Sequence, residues 1–291
     1  MNKKKIGLLS LAAVLESMRE GHSFKTTEYR IGSKRLSALE GELRIVLLSD
    51  LHDHRYGPEN RRLYRTIVDM KPDLILLAGD MITSMPGKNH DAAKDLIVRL
   101  ARRYPVFYGI GNHEARMMKN PSHYRFDCAG WLSELQYKGV RVLHDRTEKI
   151  RMHGQSLSIS GLTVPPVCYK RTLHPVHLDE KKVKDRIGTP DETAYRIVIA
   201  HTPTEEVACA KWGADLTVSG HLHGGVVCLF GHIGLITPQF RMFCRRARGC
   251  FRSAKSRLVV SAGLGTHLVP FRFMDPPEVV LLRLKKAGKG H

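Results

Sequence analysis

Short apolar runs alternate with helical and polar stretches along most of the chain. Residues 44–49 and 73–78 are almost continuously apolar, which is typical of strands that are buried on both faces. Between them, residues 60–70 carry apolar side chains at helical spacing and end just before a proline. A second helix is predicted at residues 91–103, where apolar side chains share one face and basic ones lie opposite. This order of strand and helix predicts a sheet with helices packed against it.

The second half of the chain has strands that lie closer together in sequence. After a strand at residues 106–109 and a helix at 131–138, six strand-like segments follow, at 140–143, 157–160, 197–200, 216–219, 258–261 and 279–284. Residues 171–191 are polar and contain two prolines, so we expect a surface excursion there. Together the two halves predict an α/β or α+β sandwich, in which two sheets stack and helices cover their outer faces.

The chain has no obvious linker or internal repeat, which favours one main domain. We expect this domain at residues 41–291, preceded by an N-terminal segment at 1–40 that ends in a lead-in strand. Three lysines at 3–5 precede an apolar run at 6–15, which is too short to cross the ~30 Å hydrocarbon layer of a bilayer as a helix. Its spacing predicts a short amphipathic helix that docks on the protein body or on a membrane surface.

Candidate metal ligands directly follow five of the predicted strands. They are Asp50 and His52, Asp80, Asn112, His201, and the pair His221 and His223. Open sheets bind ligands at the carboxyl ends of their strands, which is where these side chains lie. Each motif alone is also compatible with a salt-bridged turn, a helix cap or an Asx turn. Their recurrence at five strand ends is hard to attribute to unrelated turns, and it favours a metal centre.

The ordered motifs resemble those of the calcineurin-like metallophosphoesterases. The matching blocks are Asp50-Leu-His52, Gly79-Asp80, Gly111-Asn-His-Glu114, His201 and Gly220-His-Leu-His223. The resemblance extends over about residues 43–284, and all five blocks occur in order. The glycines at 224–225 and the run Gly-Leu-Gly-Thr-His at 263–267 resemble the bacterial YkuE-like subgroup. The resemblance implies an α/β fold, a β-sandwich of two mixed sheets flanked by helices in the layer order αββα.

The resemblance also implies two divalent metal ions that share one carboxylate. The first ion would take Asp50, His52, Asp80 and His223. The second ion would take Asp80, Asn112, His201 and His221. Mixed nitrogen and oxygen ligands suit manganese, iron or zinc better than calcium. The residue types do not decide among these three metals.

His113 is the histidine of these blocks that this assignment leaves without a metal. The resemblance implies that it stands beside the phosphate, as a proton donor to the leaving oxygen or as a stabiliser of transition-state charge. Members of the family often have an aspartate three positions after the bridging carboxylate, which holds this histidine, whereas this chain has Thr83. A hydroxyl supplies no negative charge, so we expect His113 to be a weaker general acid here.

The chain is strongly basic, with 47 Lys and Arg against 28 Asp and Glu and a formal net charge of +19. This charge favours an anionic partner, such as a phosphorylated substrate, an acidic membrane surface or, less favoured, nucleic acid. Residues 241–257 hold seven Lys or Arg and no acid. An anionic lipid surface, nucleic acid and a plainly solvated loop stay open as explanations of this segment. Arg55 and Arg116 follow motif loops, where a guanidinium group suits contact with the substrate phosphate.

These observations predict a hydrolase of phosphodiesters, pyrophosphates or phosphomonoesters, with small-molecule, lipid-linked and nucleotide-sugar substrates among the candidates. The first alternative is a nuclease or a cyclic-nucleotide phosphodiesterase, whose substrate the positive charge would attract. The second is a non-catalytic scaffold, which would be expected to lack metal ligands, whereas all seven are present. The six cysteines form no C-x-x-C pair, which favours free thiols in a reducing compartment. We therefore expect a cytoplasmic protein, either dispersed or peripheral to the membrane.

Overall fold

The computed structural model describes residues 23–170, 175–225, 227–229, 233–236, 242–253, 255–266, 272 and 275–288. The amphipathic helix predicted at residues 6–15 and part of the basic segment at 241–257 lie outside these residues. In the part of the chain that is described, two six-stranded sheets stack face to face around a shared apolar core. The predicted sandwich of two sheets is therefore confirmed.

The first sheet is mixed. Its strands are β1 (Lys25–Ser33), β2 (Glu42–Leu48), β3 (Leu74–Leu77), β4 (Val106–Gly109), β5 (Arg141–Leu143) and β15 (Glu278–Lys286), in the spatial order β1-β15-β2-β3-β4-β5. Strands β2 to β5 run parallel, β15 is antiparallel to β2, and β1 is parallel to β15. The carboxyl ends of β2, β3 and β4 therefore lie at the same edge of this sheet.

The second sheet is also mixed. Its strands are β6 (Arg146–Met152), β7 (Gln155–Leu162), β8 (Tyr195–Ala200), β9 (Leu216–Ser219), β13 (Gly249–Ser253) and β14 (Ser256–Val260), in the spatial order β13-β14-β9-β8-β7-β6. The four central strands are parallel, and both outer strands are antiparallel to their neighbours. A small antiparallel sheet contains β10 (Val227–Leu229), β11 (Ile233–Ile236) and β12 (Met242–Cys244).

Helices cover the outer faces of both large sheets. They are α1 (Arg61–Asp69), α2 (Asp91–Ala101), α3 (Asn112–Lys119), α4 (Pro121–Tyr124), α5 (Cys128–Tyr137), α6 (Glu180–Ile187) and α7 (Glu206–Trp212). Leu63 and Leu96 pack from α1 and α2 onto the first sheet, while Val183 and Trp212 pack from α6 and α7 onto the second. The layer order αββα is therefore confirmed. No helix in the described ranges has both the length and the apolar character needed to span a membrane.

Strand β2 illustrates why the central strands are apolar throughout. Ile45 and Leu47 belong to the core between the two sheets, whereas Val46 and Leu48 belong to the core beneath the helices. Successive side chains of a strand point to opposite faces, so a strand that is covered on both sides needs an apolar residue at every position. This burial accounts for the continuous apolar runs that predict β2 and β3.

Helices α3, α6 and α7 and strand β6 are absent from the sequence-based prediction. Helix α3 buries the polar residues Asn112, His113 and Glu114, so its inner face lacks the apolar periodicity on which a helix prediction depends. Helix α6 lies inside the polar stretch at 171–191, and Asp179 caps it by accepting a hydrogen bond from the N–H of Lys182. Local capping and tertiary contacts form these helices where the apolar pattern is weak.

Part of the basic segment at 241–257 is folded into the protein body. Arg248 is 3% exposed and binds two buried carboxylates, Asp275 at 2.9 Å and Glu278 at 2.5 Å. Arg246 pairs with Glu206 on α7. Because buried charges are stable only when they are paired, the solvated-loop explanation is wrong for Arg248.

Candidate metal centre

The strand ends of both sheets meet at one edge of the sandwich. Strands β2, β3 and β4 of the first sheet and β8 and β9 of the second all end there. Main-chain hydrogen bonds join neighbouring loops within each sheet. After β2 and β3, the N–H of Asp50 donates to the carbonyl of Gly79 at 3.0 Å and the N–H of His52 to that of Asp80 at 3.1 Å, and after β9 and β8 the N–H of Gly220 donates to the carbonyl of His201 at 2.9 Å. The loops are therefore held in a fixed relation by backbone contacts, before any side chain is considered.

The predicted ligands come together at this edge. The acidic and histidine residues form three buried groups, in each of which one potential ligand atom per residue lies within 4.8 Å of the others. The groups are Asp50, His52 and His223; Asp80, His201 and His221; and His52, Asp80 and His113. Asp80 and His52 belong to two groups each, so the three groups form one continuous cluster.

Short distances connect the two carboxylates through the histidines. His201 Nε2 lies 3.0 Å from Oδ2 of Asp80 and 3.8 Å from Oδ1 of Asp50. His223 Nε2 lies 3.3 Å from the same Asp50 oxygen and 3.2 Å from Nε2 of His52. These donor atoms face one another across a small buried space, which is the arrangement that a bound cation requires.

Two of the imidazole rings are oriented by main-chain carbonyls. The Nδ1–H of His201 donates to the carbonyl of Ala78 at 2.7 Å, and Nδ1 of His223 lies 3.3 Å from the carbonyl of Gly265. A ring that donates from Nδ1 presents the lone pair of Nε2 to a metal, and such outer contacts also fix the ring orientation. Both histidines therefore fit a role as Nε2 ligands.

Asn112 fits the same centre through its side-chain oxygen. The residue is 5% exposed, and its Oδ1 atom has no hydrogen-bond partner in the described part of the protein. A buried acceptor without a partner costs about 1–3 kcal/mol. Coordination of a cation by this oxygen would remove that cost, so the donor set fits a metal.

The backbone is strained at the proposed ligands. Asp50, His52, Asp80, His221 and His223 have φ values of 51°, 47°, 52°, 69° and 49°, all in the left-handed region. Such conformations cost on the order of 1–3 kcal/mol each and persist at functional sites only where the surrounding structure enforces them. The concentration of strain at five residues of one cluster supports a functional role for this edge.

Two glycines of the motifs allow the loops to approach the carboxylates. A Cβ atom at Gly111 would lie 2.2 Å from Oδ1 of Asp80, and one at Gly220 would lie 2.1 Å from Oδ2 of Asp50. Any larger residue would displace the carboxylate that it faces. These glycines therefore belong to the architecture of the centre.

Glu114 organises the centre, although the sequence motifs did not indicate a role for it. Its carboxylate is fully buried and accepts hydrogen bonds from the N–H groups of Asp80, Met81 and Gly111 at 3.0 Å and from the hydroxyl of Tyr108 at 2.7 Å. It thereby ties the loop after β3 to the first turn of α3. Its position in the block Gly111-Asn-His-Glu114 was the sequence feature that could have indicated this role.

His113 contacts Ser84 rather than Thr83. Its Nδ1 accepts a hydrogen bond from the N–H of Ser84 at 2.8 Å and lies 2.9 Å from the hydroxyl oxygen of the same residue. The N–H of Thr83 instead donates to Asp53, which binds His90 at 2.9 Å. Because Nδ1 accepts, the neutral His113 ring carries its proton on Nε2, which lies 3.8 Å from Oδ2 of Asp80.

Arg116 lies near the centre, whereas Arg55 is not part of the same groove. Arg116, Lys170 and Tyr169 line a groove of about 240 Å³ that begins at Asn112. The Tyr169 ring also packs against His221, with 4.9 Å between the ring centroids. Tyr169 and Lys170 follow β7 without any metal-ligand motif, so no sequence signal pointed to them.

Burial and mutual charge shift the acid–base properties of the cluster. Burial raises the pKa of Asp50 to about 6. Burial opposes ionisation of Asp80 too, but the positive charge of His201, which is the largest opposing influence, holds the pKa of Asp80 well below its usual range. For His201, the Asp80 and Asp50 carboxylates outweigh burial and raise the pKa to about 10. In the metal-free protein at neutral pH, His201 is therefore an imidazolium paired with Asp80.

Metal binding is accordingly expected to release protons. At pH 7 a cation that binds His201 must displace its proton, so metal affinity should rise with pH up to the pKa of about 10. Calorimetry of Mn²⁺ binding in buffers of different ionisation enthalpy should count roughly one proton or more per protein. His201→Ala should reduce this count, whereas replacement of the exposed His123 by alanine should not. Zero proton release with an affinity independent of pH would contradict the ligand role of His201.

Comparison with known proteins agrees with this geometry. Residues 43–225 match the family model for calcineurin-like phosphoesterases. An uncharacterised metallophosphoesterase of Aquifex aeolicus is 30% identical over 278 residues, which cover 94% of this chain and 95% of the relative. YkuE, an uncharacterised metallophosphoesterase of Bacillus subtilis, is 25% identical over 92% of this chain and 88% of its own. The phosphodiesterase YaeI of Escherichia coli is 24% identical over 83% of this chain and 82% of its own. The chain therefore belongs to the calcineurin-like phosphoesterase family, and it is a metal-dependent phosphoric ester hydrolase.

Proposed function

We propose that the protein hydrolyses a phosphodiester at a centre of two divalent cations bridged by Asp80. The observation that carries this proposal is the membership of Asp80 in two of the three ligand groups. Asp80 shares one group with His201 and His221 and another with His52, which also belongs to the group of Asp50 and His223. With the oxygen of Asn112 added to the group of His201 and His221, each cation would have four protein ligands.

The donor set suits manganese, iron or zinc. It combines imidazole nitrogens with carboxylate and amide oxygens and contains no thiolate, a mixture that these three metals accept. When bound, such a pair of cations polarises the phosphoryl oxygens and lowers the pKa of a water molecule. The strained loops and buried carboxylates described above would hold the ligands in place before the metals bind.

In this proposal, His113 acts as a neutral hydrogen-bond donor to a non-leaving oxygen of the phosphate. The N–H of Ser84 already occupies Nδ1, so a second proton on the ring would bring two N–H groups against each other. The remaining Nε2–H is directed to the side of the ring where Asp80 lies. A fixed donor of this kind stabilises developing negative charge without giving up its proton.

The groove beside Asn112 is the proposed position for one arm of the ester. Arg116 and Lys170 provide positive charge, and Val164 and Pro166 provide apolar walls. A phosphodiester has two ester arms, of which one could lie in this groove while the phosphate meets the cations. The diesterase name of the Escherichia coli relative agrees with this choice. The apolar walls also admit a lipid-linked arm.

The direct test is a hydrolysis assay after metal reconstitution. With Mn²⁺ we expect faster turnover of bis(nitrophenyl) phosphate than of nitrophenyl phosphate, and loss of both activities with a chelator. Arg116→Ala should lower kcat/KM for the diester about tenfold by removing a charged contact, whereas Arg55→Ala should change it less than about twofold. Absence of turnover across diester, monoester, nucleotide and pyrophosphate substrates with all three metals would refute the function. Equal effects of the two variants would refute only the groove assignment.

The role of His113 is tested by the dependence on the leaving group. A neutral donor helps poor and good leaving groups alike, so His113→Ala should lower kcat about 10²-fold for both alkyl and aryl esters. Ser84→Ala keeps the main-chain N–H and should stay within about threefold of the original rate, with the same ratio of alkyl to aryl turnover. A loss at least tenfold larger for the alkyl ester in His113→Ala would identify proton donation instead.

A further inference from the structure

A large basic groove lies at the opposite end of the sandwich from the metal centre. It has a volume of about 1020 Å³, and ten of its twenty lining residues are Lys or Arg, against one carboxylate. Arg196 at the start of β8 lines this groove, while His201 directly follows the end of the same strand. At about 3.3 Å per residue, roughly 17 Å separate the two sites along β8. The groove is thus a distinct site, and a ligand bound there would be independent of the proposed hydrolysis.

Some of the groove cations are neutralised within the protein. Asp215 lies 3.3 Å from both Arg35 and Arg196, and Glu42 binds Arg283 at 2.7 Å and Lys285 at 3.1 Å. Together with the pair of Arg30 and Glu28 at 2.9 Å, these pairs involve five of the ten cations that line the groove. They contribute shape but little free charge for a ligand.

Five other cations of the groove form no ion pair with a carboxylate in the described part of the chain. They are Lys34, Arg252, Lys255, Arg257 and Lys286. Lys34 follows β1, Lys286 ends β15, and the other three belong to the β13–β14 hairpin. Like charges that converge on one concavity repel one another and raise the local concentration of anions. A multivalent anion would offset this repulsion.

The lining also indicates which kind of anion fits. Apart from the buried Ile31, the described lining residues include no aromatic or large aliphatic side chain. Base stacking, which contributes much of the affinity for single-stranded nucleic acid, therefore has no platform here. The described lining residues also offer no exposed apolar side chain that could insert into a bilayer. A planar membrane surface, moreover, matches a concave site poorly. Charge alone would hold the ligand.

We propose that this groove binds a linear polyphosphate chain, an anion in which phosphate groups follow one another closely and carry no bases. A chain can contact cations on several walls at once, whereas a single phosphate reaches few of them. The proposal also explains part of the basic segment at 241–257, since Arg252, Lys255 and Arg257 supply three of the five uncompensated charges. The segment would therefore have two roles. Arg252, Lys255 and Arg257 would bind the ligand, whereas Arg248 is buried in an ion-pair network that stabilises the fold.

The test is binding of inorganic polyphosphate to the purified full-length protein, with a matched pair of triple variants. Arg252→Ala, Lys255→Ala and Lys286→Ala together should weaken binding about tenfold or more, since three charged contacts are lost. Arg65→Ala, Arg102→Ala and Lys138→Ala remove the same charge from the helical layer and should weaken it less than about twofold. Both triple variants should keep the turnover of a small aryl ester, which shows that the fold and the metal centre are intact.

Four results would overturn the proposal. The first is equal loss of binding in the two triple variants, which would indicate a response to net charge only. The second is binding of orthophosphate as tight as that of the chain. The third is tighter binding of a single-stranded oligonucleotide of equal charge, or of phosphatidylcholine vesicles containing phosphatidylglycerol. The fourth is polyphosphate binding that persists in the groove variant and competes with the aryl ester, which would locate the anion at the metal centre.

Discussion

The buried contact between Asp80 and His201 joins the two sheets at the edge where the ligands meet. Asp80 follows β3 of the first sheet, His201 follows β8 of the second, and their side chains are 3.0 Å apart. Removal of one partner from a buried ionic contact typically costs about 3–5 kcal/mol, because the other charge stays buried. The apolar layer between the sheets sets the distance between them. At this distance, ligands from both halves of the chain lie close enough to form one centre.

Glu114 and Gly111 fix the backbone around the contact between Asp80 and His201. The Glu114 carboxylate holds the N–H groups of Asp80 and Gly111, and the absence of a side chain at Gly111 lets Asp80 approach α3. The left-handed backbone at five of the proposed ligands is tolerated because these contacts enforce it. The centre is therefore organised by the protein itself, and the ligand positions do not depend on one flexible loop.

Much of this arrangement could be predicted from the sequence, for identifiable physical reasons. Strands such as β2 and β3 are covered on both faces, so their apolar runs are continuous, and the ligands follow them directly at a known edge of the sheet. The contact between Ser84 and His113 could not be predicted, because it depends on how the loop after β3 turns back over α3. The basic groove could not be predicted from the sequence either, since its cations come from segments that are distant in sequence and meet only when the two sheets stack.

Bridging of two cations by Asp80 is the central feature of the proposed hydrolysis. Electron paramagnetic resonance of the protein loaded with two equivalents of Mn²⁺ measures this most directly, since two bridged ions show exchange coupling. We expect a coupled spectrum for the unmodified protein and for metal-saturated Asp50→Asn. For Asp80→Asn we expect loss of the coupling together with a lower metal content. A coupled pair of ions that survives in Asp80→Asn, or two uncoupled ions in the unmodified protein, would contradict the bridging role.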